Sequence, residues 1–205
     1  VCDGDGNLAG PIRWLQSQKL YKPFKYDSIG QDANGTTLVD PAMHWDQLKM
    51  NLSAACQDKT IKTIFIDSLT HMDQTCQQWV MRKQKKTVME IGDWNTFKHE
   101  LYGLIMRVKA SGKTVLVACH EKIEYGSDFK IEHYVPAVST NLKDYFGYIF
   151  SDVWRCTIKP DGAQKLKAVV STHPTALSDL KNSLLFDKGE IEARYEVVAA
   201  KLAKV

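Results

Sequence analysis

Two stretches of this chain are apolar until their last residues. KTIFID (62–67) and TVLVACH (114–120) are rich in β-branched positions and end on Asp67 and His120. Short apolar runs of this kind predict strands of a parallel sheet buried on both faces, with 62–67 as a central one. VCD (1–3) reads as the end of a third buried strand, broken by the Gly-rich turn that follows, and FKYDSI (24–29) predicts a short fourth. Between the strands the apolar period becomes helical. Asp40-Pro41 is a start signal, a capping carboxylate followed by a proline suited to the first helical position. Trp45, Leu48, Leu52 and Ala55 then share one face. A second helix is expected after Asp67, reaching Trp79, with the basic run MRKQKK (81–86) as a loop or frayed end. Asp93 is placed to cap a third helix. Its apolar face is Phe97, Leu101, Leu104, Ile105 and Val108, and Ser111-Gly112-Lys113 stops it.

Beyond His120 the pattern loosens. Residues 121–134 are charged and irregular, and 141–150 suggest a short helix. DVWRCTIK (152–159) and KLKAVVST (165–172) alternate around Pro160-Asp161-Gly162, which predicts an antiparallel hairpin. Ile191, Tyr195, Val198 and Leu202 mark a C-terminal amphipathic helix. Strands alternating with helices predict an α/β fold, a sandwich around a mostly parallel sheet, with one domain over 1–205. Ligands in such sheets bind beyond the carboxyl ends of the strands. Three predicted strands end in Asp3-x-Asp5, Asp67-Ser68 and His120-Glu121. If these strands are neighbours, their polar ends converge on one edge.

Composition narrows the picture only a little. With 205 residues, 44% hydrophobic and 25% charged, the chain can bury a large core. A formal charge of +3 neither demands nor excludes a nucleic-acid partner. Five scattered cysteines without a CxxC pair suit free thiols in a reduced compartment. No apolar run is long enough to span a membrane, and no secretory leader is visible. A cytoplasmic location is therefore expected. No Cys/His metal spacing, nucleophile triad or internal repeat is present.

Two families put acidic residues at a strand tip like Asp3-Gly4-Asp5-Gly6. DGDGNL (3–8) resembles the first motif of haloacid-dehalogenase-like phosphatases. That resemblance would make Asp3 the nucleophile and Asp5 the acid/base beside Mg2+. Ser68 and Lys113 could take the next two roles. The late acidic pair is wanting: IGDWN (91–95) precedes Lys113, in the wrong order, and Asp152 stands alone.

The second resemblance covers most of the chain. TIFIDSLTHM (63–72) resembles the Walker B strand of RecA-like P-loop ATPases, and TVLVACHE (114–121) resembles the following strand, whose terminal polar residue senses the γ-phosphate. VCDGDG (1–6) resembles the strand that carries the water-activating acid, with Asp5 at that position. In detail the chain looks most like phage-encoded RecA-like ATPases associated with single-strand annealing and recombination. No GxxxxGK[ST] is present, and Gly112-Lys113-Thr114 leads into a strand rather than out of one. The resemblance puts the P-loop just before Val1, and the absence of an initiator Met agrees with an upstream strand, P-loop and helix. A degenerate homologue that has lost hydrolysis is the alternative.

The resemblance implies a three-layer RecA-like core with a C-terminal hairpin and helix. It implies ATP and Mg2+ as cofactors. Asp67 would hold the metal through water, with Ser68 beside the nucleotide. Asp5 would activate water, and His120 would report the γ-phosphate to a moving loop over 121–138. Arg82, Lys83, Lys85 and Lys86 would contact phosphates of single-stranded DNA, with Trp79 and Trp94 near enough to stack on bases. Arg155, Lys159 and Lys181 would reach a neighbouring protomer's nucleotide. The implied partners are single-stranded DNA, further copies in a ring or filament, and a single-strand DNA-binding protein, in a bacterial host cytoplasm. Plainer readings stand beside these. Asp67 could only cap a helix, Asp5 only make a turn, and His120 only be hydrogen-bonded near the core. The basic run could be a solvated loop. A DNA-binding or scaffold protein on a dead ATPase core is the non-enzymatic rival.

Overall fold

In the computed structural model, residues 2–3, 27–28, 40–161, 165–183, 186 and 189–193 are described. They belong to two compact units: Val1–His120 with Pro136–Ser139, and Glu121–Val135 with Thr140–Val205. Among the described residues no helix is long and apolar enough to cross a membrane.

The first unit is built on a parallel sheet. Its strands are β1 (Cys2–Asp3), β2 (Asp27–Ser28), β3 (Thr63–Asp67) and β4 (Thr114–Val117), in the order β2-β1-β3-β4. Three long helices pack on one another: α1 (Pro41–Gln57), α2 (Leu69–Lys83) and α3 (Asp93–Lys109). Helix α1 starts where its signal predicts. Asp40 accepts a hydrogen bond from the Ala42 N–H at 3.0 Å, and Pro41 occupies the first turn. Trp45, Leu48 and Leu52 are buried as the periodicity requires, and so are Phe97, Leu101, Leu104, Ile105 and Val108 on α3. Gly112 adopts φ +71° after α3, a conformation that glycine reaches without a Cβ clash.

The sheet is not buried evenly. Ile64 and Ile66 on β3 are covered, whereas Phe65 is half-buried and its register partner Leu116 is 47% exposed. Strand β4, read from its sequence as a strand of the buried type, is the last strand of the sheet among the described residues. One covered face and one part-open face make the described architecture a mixed α/β fold with a single helical layer. The second helical layer of the expected sandwich is not shown.

Asp93 departs from its expected role. Gly92 occupies the cap position, and the buried Asp93 carboxylate accepts instead from the Glu90 N–H at 3.0 Å and from Lys86 Nζ at 3.1 Å. The Glu90 N–H, then Lys86, hold this carboxyl below its usual range. A depressed carboxylate contributes stability above its unfolded pKa of about 4 and loses it as pH falls through the lower folded value. The urea midpoint of Asp93→Asn should therefore lie below that of the wild type at pH 6. The gap should close as both are titrated below pH 4, and a constant gap would contradict this assignment.

In the second unit, the stretch over 121–138 expected as a loop is largely a two-stranded sheet, β5 (Glu121–Tyr125) and β6 (Ile131–Pro136). Its strands escape a pattern reading because they are mostly exposed and show no apolar face. Instead, Arg155 grips Glu121 on β5 through two hydrogen bonds of 2.6 and 3.0 Å and lies 3.6 Å over the Tyr134 ring on β6. The expected helix near 141–150 is two single turns, α4 (Thr140–Lys143) and α5 (Phe146–Ile149). The predicted hairpin is present as β7 (Arg155–Asp161) and β8 (Lys165–Ser171), antiparallel, with Ile158 opposite Ala168. The C-terminal helix does not begin at Ile191. Residues 190–192 are strand β9 (Glu190–Glu192), paired with the end of β8. The rest of that expected helix lies outside the described residues.

Candidate functional site

The carboxyl ends of the parallel strands meet, as the sequence implied. In register, Cys2 pairs with Ile66 and Asp3 with Asp67, while Asp3 pairs on its other side with Ser28. Register partners on neighbouring strands lie about 4.8 Å apart. Two acidic residues therefore stand side by side at one sheet edge. The RecA-like resemblance had put Asp5 in the water-activating role. Asp5 lies outside the described residues, and the residue in register with Asp67 is Asp3. No periodic signal reveals such a register, because tertiary pairing sets it.

Asp67 is half-buried. It does not cap α2: Ser68 does, with Oγ accepting from the His71 N–H at 3.2 Å. Ser68 is almost fully buried, so its hydroxyl serves the helix start. The Asp67–Ser68 peptide bond is cis. Next to it, the Leu69 N–H donates to the Ala118 carbonyl at 2.8 Å, and Thr70 Oγ1 accepts from the His120 N–H at 3.1 Å. The start of α2 is thus tied to the chain leaving β4. His120 itself is exposed, and its carbonyl accepts from the Ala137 N–H at 2.8 Å. Burial raises the thiol pKa of both Cys119 and Cys76, so neither is a thiolate available as nucleophile or metal ligand near pH 7.

A residue that sequence reading missed ties the returning chain to the same helix. Asp73, buried on α2, accepts from Ser139 Oγ at 2.7 Å, from the Ser139 N–H at 3.2 Å and from Gln77 Nε2 at 2.7 Å. The available signal was a carboxylate on the helix face that also carries the apolar Leu69, Cys76 and Val80.

The basic run straddles the end of α2: Arg82 and Lys83 lie in its last turn, and Lys85 and Lys86 follow the helix. Arg82 pairs with Asp40. Lys83 Nζ sits 4.2 Å over the Trp79 ring. Lys86 pairs with Glu90 and Asp93, and Lys85 is exposed with φ 55°. Trp79 is buried, donates to Asp46 at 3.1 Å and is a core residue. Trp94 is half-buried edge-on to Phe97. The three cations expected at a neighbour's nucleotide are engaged inside the second unit. Arg155 holds Glu121, Lys159 pairs with Glu190, and Lys181 Nζ donates to the Gly147 and Phe150 carbonyls at 3.0 and 3.1 Å.

Lys113, a candidate under the phosphatase reading, is at the wrong edge. It precedes Thr114, whose partner is Thr63 at the amino end of β3, about 13 Å of strand from Asp67. Its ammonium donates to the Asp58 and Ile61 carbonyls at 2.8 and 2.7 Å.

Residues 21–184 match the family model described as AAA domain, and the chain belongs to this family. The class is a P-loop NTPase-like domain, for which nucleotide binding is the supported activity. Comparison with curated proteins gave no match, and comparison with solved structures gave none either.

Proposed function

We propose that this AAA domain binds and hydrolyses ATP with Mg2+ at the carboxyl edge of β1, β3 and β4, in a RecA-like protein that acts on single-stranded DNA. The observation that carries this reading is the register pairing of Asp3 with Asp67 at the sheet edge where the chain leaving β4 also arrives. The donor set suits Mg2+. It offers two acidic residues in register at one edge, and Mg2+ is commonly held by one or two carboxylates while it keeps most of its waters. Asp67 would hold the ion through water, with Asp3 beside it, and the bound metal would neutralise phosphate charge. Asp5 is retained as a proposed water-activating base. The His120 backbone is fixed at this edge by Thr70 and Ala137.

Single-stranded DNA follows from the family resemblance. Arg82, Lys83 and Lys85 are exposed cations grouped at one end of α2, where phosphate could exchange for Asp40 as a partner of Arg82. The phage recombination setting, the oligomer and the roles of Arg155, Lys159 and Lys181 at a neighbour's nucleotide belong to the same proposal.

The test is ATP hydrolysis by the natural full-length protein, with and without a single-stranded oligonucleotide. Asp67→Asn should lower the rate about 10- to 100-fold, the range for groups that hold a metal through an outer shell. Oligonucleotide binding should persist. DNA binding without hydrolysis in the wild type would favour the dead-core scaffold. Phosphomonoester turnover lost in Asp3→Asn, with no ATP hydrolysis, would favour the phosphatase.

A further inference from the structure

Strand β3 ends at Asp67, and Ser68 already caps α2. The chain leaving β4 therefore soon runs out of sheet partners. The Ala118 N–H still donates to the Ile66 carbonyl at 2.9 Å, as a parallel ladder requires. Two residues on, the strand that would face His120 has become a helix. The His120 N–H donates to a side chain instead, Thr70 Oγ1 at 3.1 Å. Thr70 Oγ1 also lies 3.6 Å from Cys119 Sγ, so one hydroxyl meets both residues that follow Ala118.

The neighbouring hydroxyls have other tasks. Ser68 Oγ caps α2 through the His71 N–H, and Thr75 Oγ1 donates to the His71 and Met72 carbonyls of the same helix. The helix itself accounts for both. It does not account for Thr70, whose oxygen reaches out of α2 to a residue 50 positions further along the chain. Thr70 is 8% exposed, so little water competes for the His120 N–H. His120 is exposed, two residues beyond the bond between Ala118 and Ile66. An exposed imidazole at the candidate site thus takes its place from a buried hydroxyl that follows Asp67 by three residues.

We propose that Thr70 is a positioning residue: its hydroxyl sets where His120 stands at the carboxyl edge, and it influences ATP hydrolysis through His120. The effect on hydrolysis rests on the proposed nucleotide site. The placement of His120 does not, and the two are measured apart.

The first measurement, on the natural full-length protein, contains no nucleotide. Amide hydrogen exchange at His120 should be about tenfold faster in Thr70→Val than in the wild type, the scale of one lost net hydrogen bond. The Ala118 amide, held by β3, should be unchanged. Equal exchange at His120 in both proteins, or equal acceleration at Ala118, would overturn the placement. The second measurement is steady-state ATP hydrolysis. Thr70→Val should lower kcat about tenfold with KM little changed, the pattern of a misplaced group rather than of lost binding. Thr70→Ser, which returns the oxygen, should recover most of that loss. In a His120→Ala background, Thr70→Val should cost little more, because the side chain it acts through is already gone. Equal losses in both backgrounds, or a serine variant as slow as the valine one, would sink the proposal. Circular dichroism checks the fold, and should valine prevent folding, Thr70→Ala serves in its place. A wild type that hydrolyses no ATP would count against the proposed function instead, and the exchange measurement would still decide whether Thr70 places His120.

Discussion

Phe97→Ala is expected to lower the unfolding free energy by about 4 kcal/mol, within the range for truncating a fully buried aromatic. Phe97 is 0% exposed in the helical layer of the first unit. It meets Trp94 edge-on with ring centroids 5.5 Å apart, and its carbonyl lies 3.9 Å from the buried Cys76 sulfur on α2. Truncation removes the transfer energy of the ring and leaves a hole between two helices that sequence-distant contacts keep from closing. Stabilities of ordinary domains are about 5–15 kcal/mol, so a loss of this size takes roughly a quarter or more of the total. Ile91→Ala is the control. Ile91 is 92% exposed just before α3, and its change should stay within about 0.5 kcal/mol. Urea unfolding of both variants decides the matter. A loss below about 2 kcal/mol for Phe97→Ala would mean that the helical layer does not depend on this ring.

The elements that patterning made legible are those where local chemistry and burial agree. Asp40-Pro41 starts α1, Thr63–Asp67 is a strand, and the residues around Pro160 join two strands, each for a reason visible within a few positions. Sequence failed where partners far along the chain decide. β5 and β6 carry little apolar patterning and are joined to β7 by Arg155. Ile191, which its spacing to Tyr195 and Val198 assigned to a helix, lies in a strand, because β8 offers a ladder to pair with. The candidate site divides along the same line. That Asp67 and the end of β4 share an edge was readable from two strands ending on polar residues. That Asp3 is the register partner of Asp67 was not, since parallel register is set by how strands slide together. Arg82, Lys83 and Lys86 show the converse limit. A basic run looks like a ligand surface in one dimension, but the fold engages these three with Asp40, with Trp79, and with Glu90 and Asp93.

Asp73→Ala is expected to cost about 3 kcal/mol, the order for breaking a buried charge-assisted hydrogen-bond group. The carboxylate is 3% exposed and takes three hydrogen bonds, two of them from Ser139. Removing it strands the Ser139 N–H and hydroxyl and the Gln77 amide, and a buried donor without an acceptor costs about 1–3 kcal/mol. Ser139→Ala removes one donor and leaves the other bonds in place, so its cost should be nearer 1 kcal/mol. The double variant should cost less than the two single losses added, because the second change finds the shared bond already gone. Urea unfolding of the four proteins gives this coupling directly. Strict additivity, or a loss under about 1 kcal/mol for Asp73→Ala, would show that the Ser139 bonds do not hold the chain. Their position makes that outcome matter for function. One turn upstream on the same helix, Thr70 holds the His120 N–H at the end of the β4 run. The departure of the chain at His120 and its return at Ser139 are therefore both fixed to the first two turns of α2, directly after Asp67. A rearrangement at the strand edge that shifts the start of α2 must move both anchor points together.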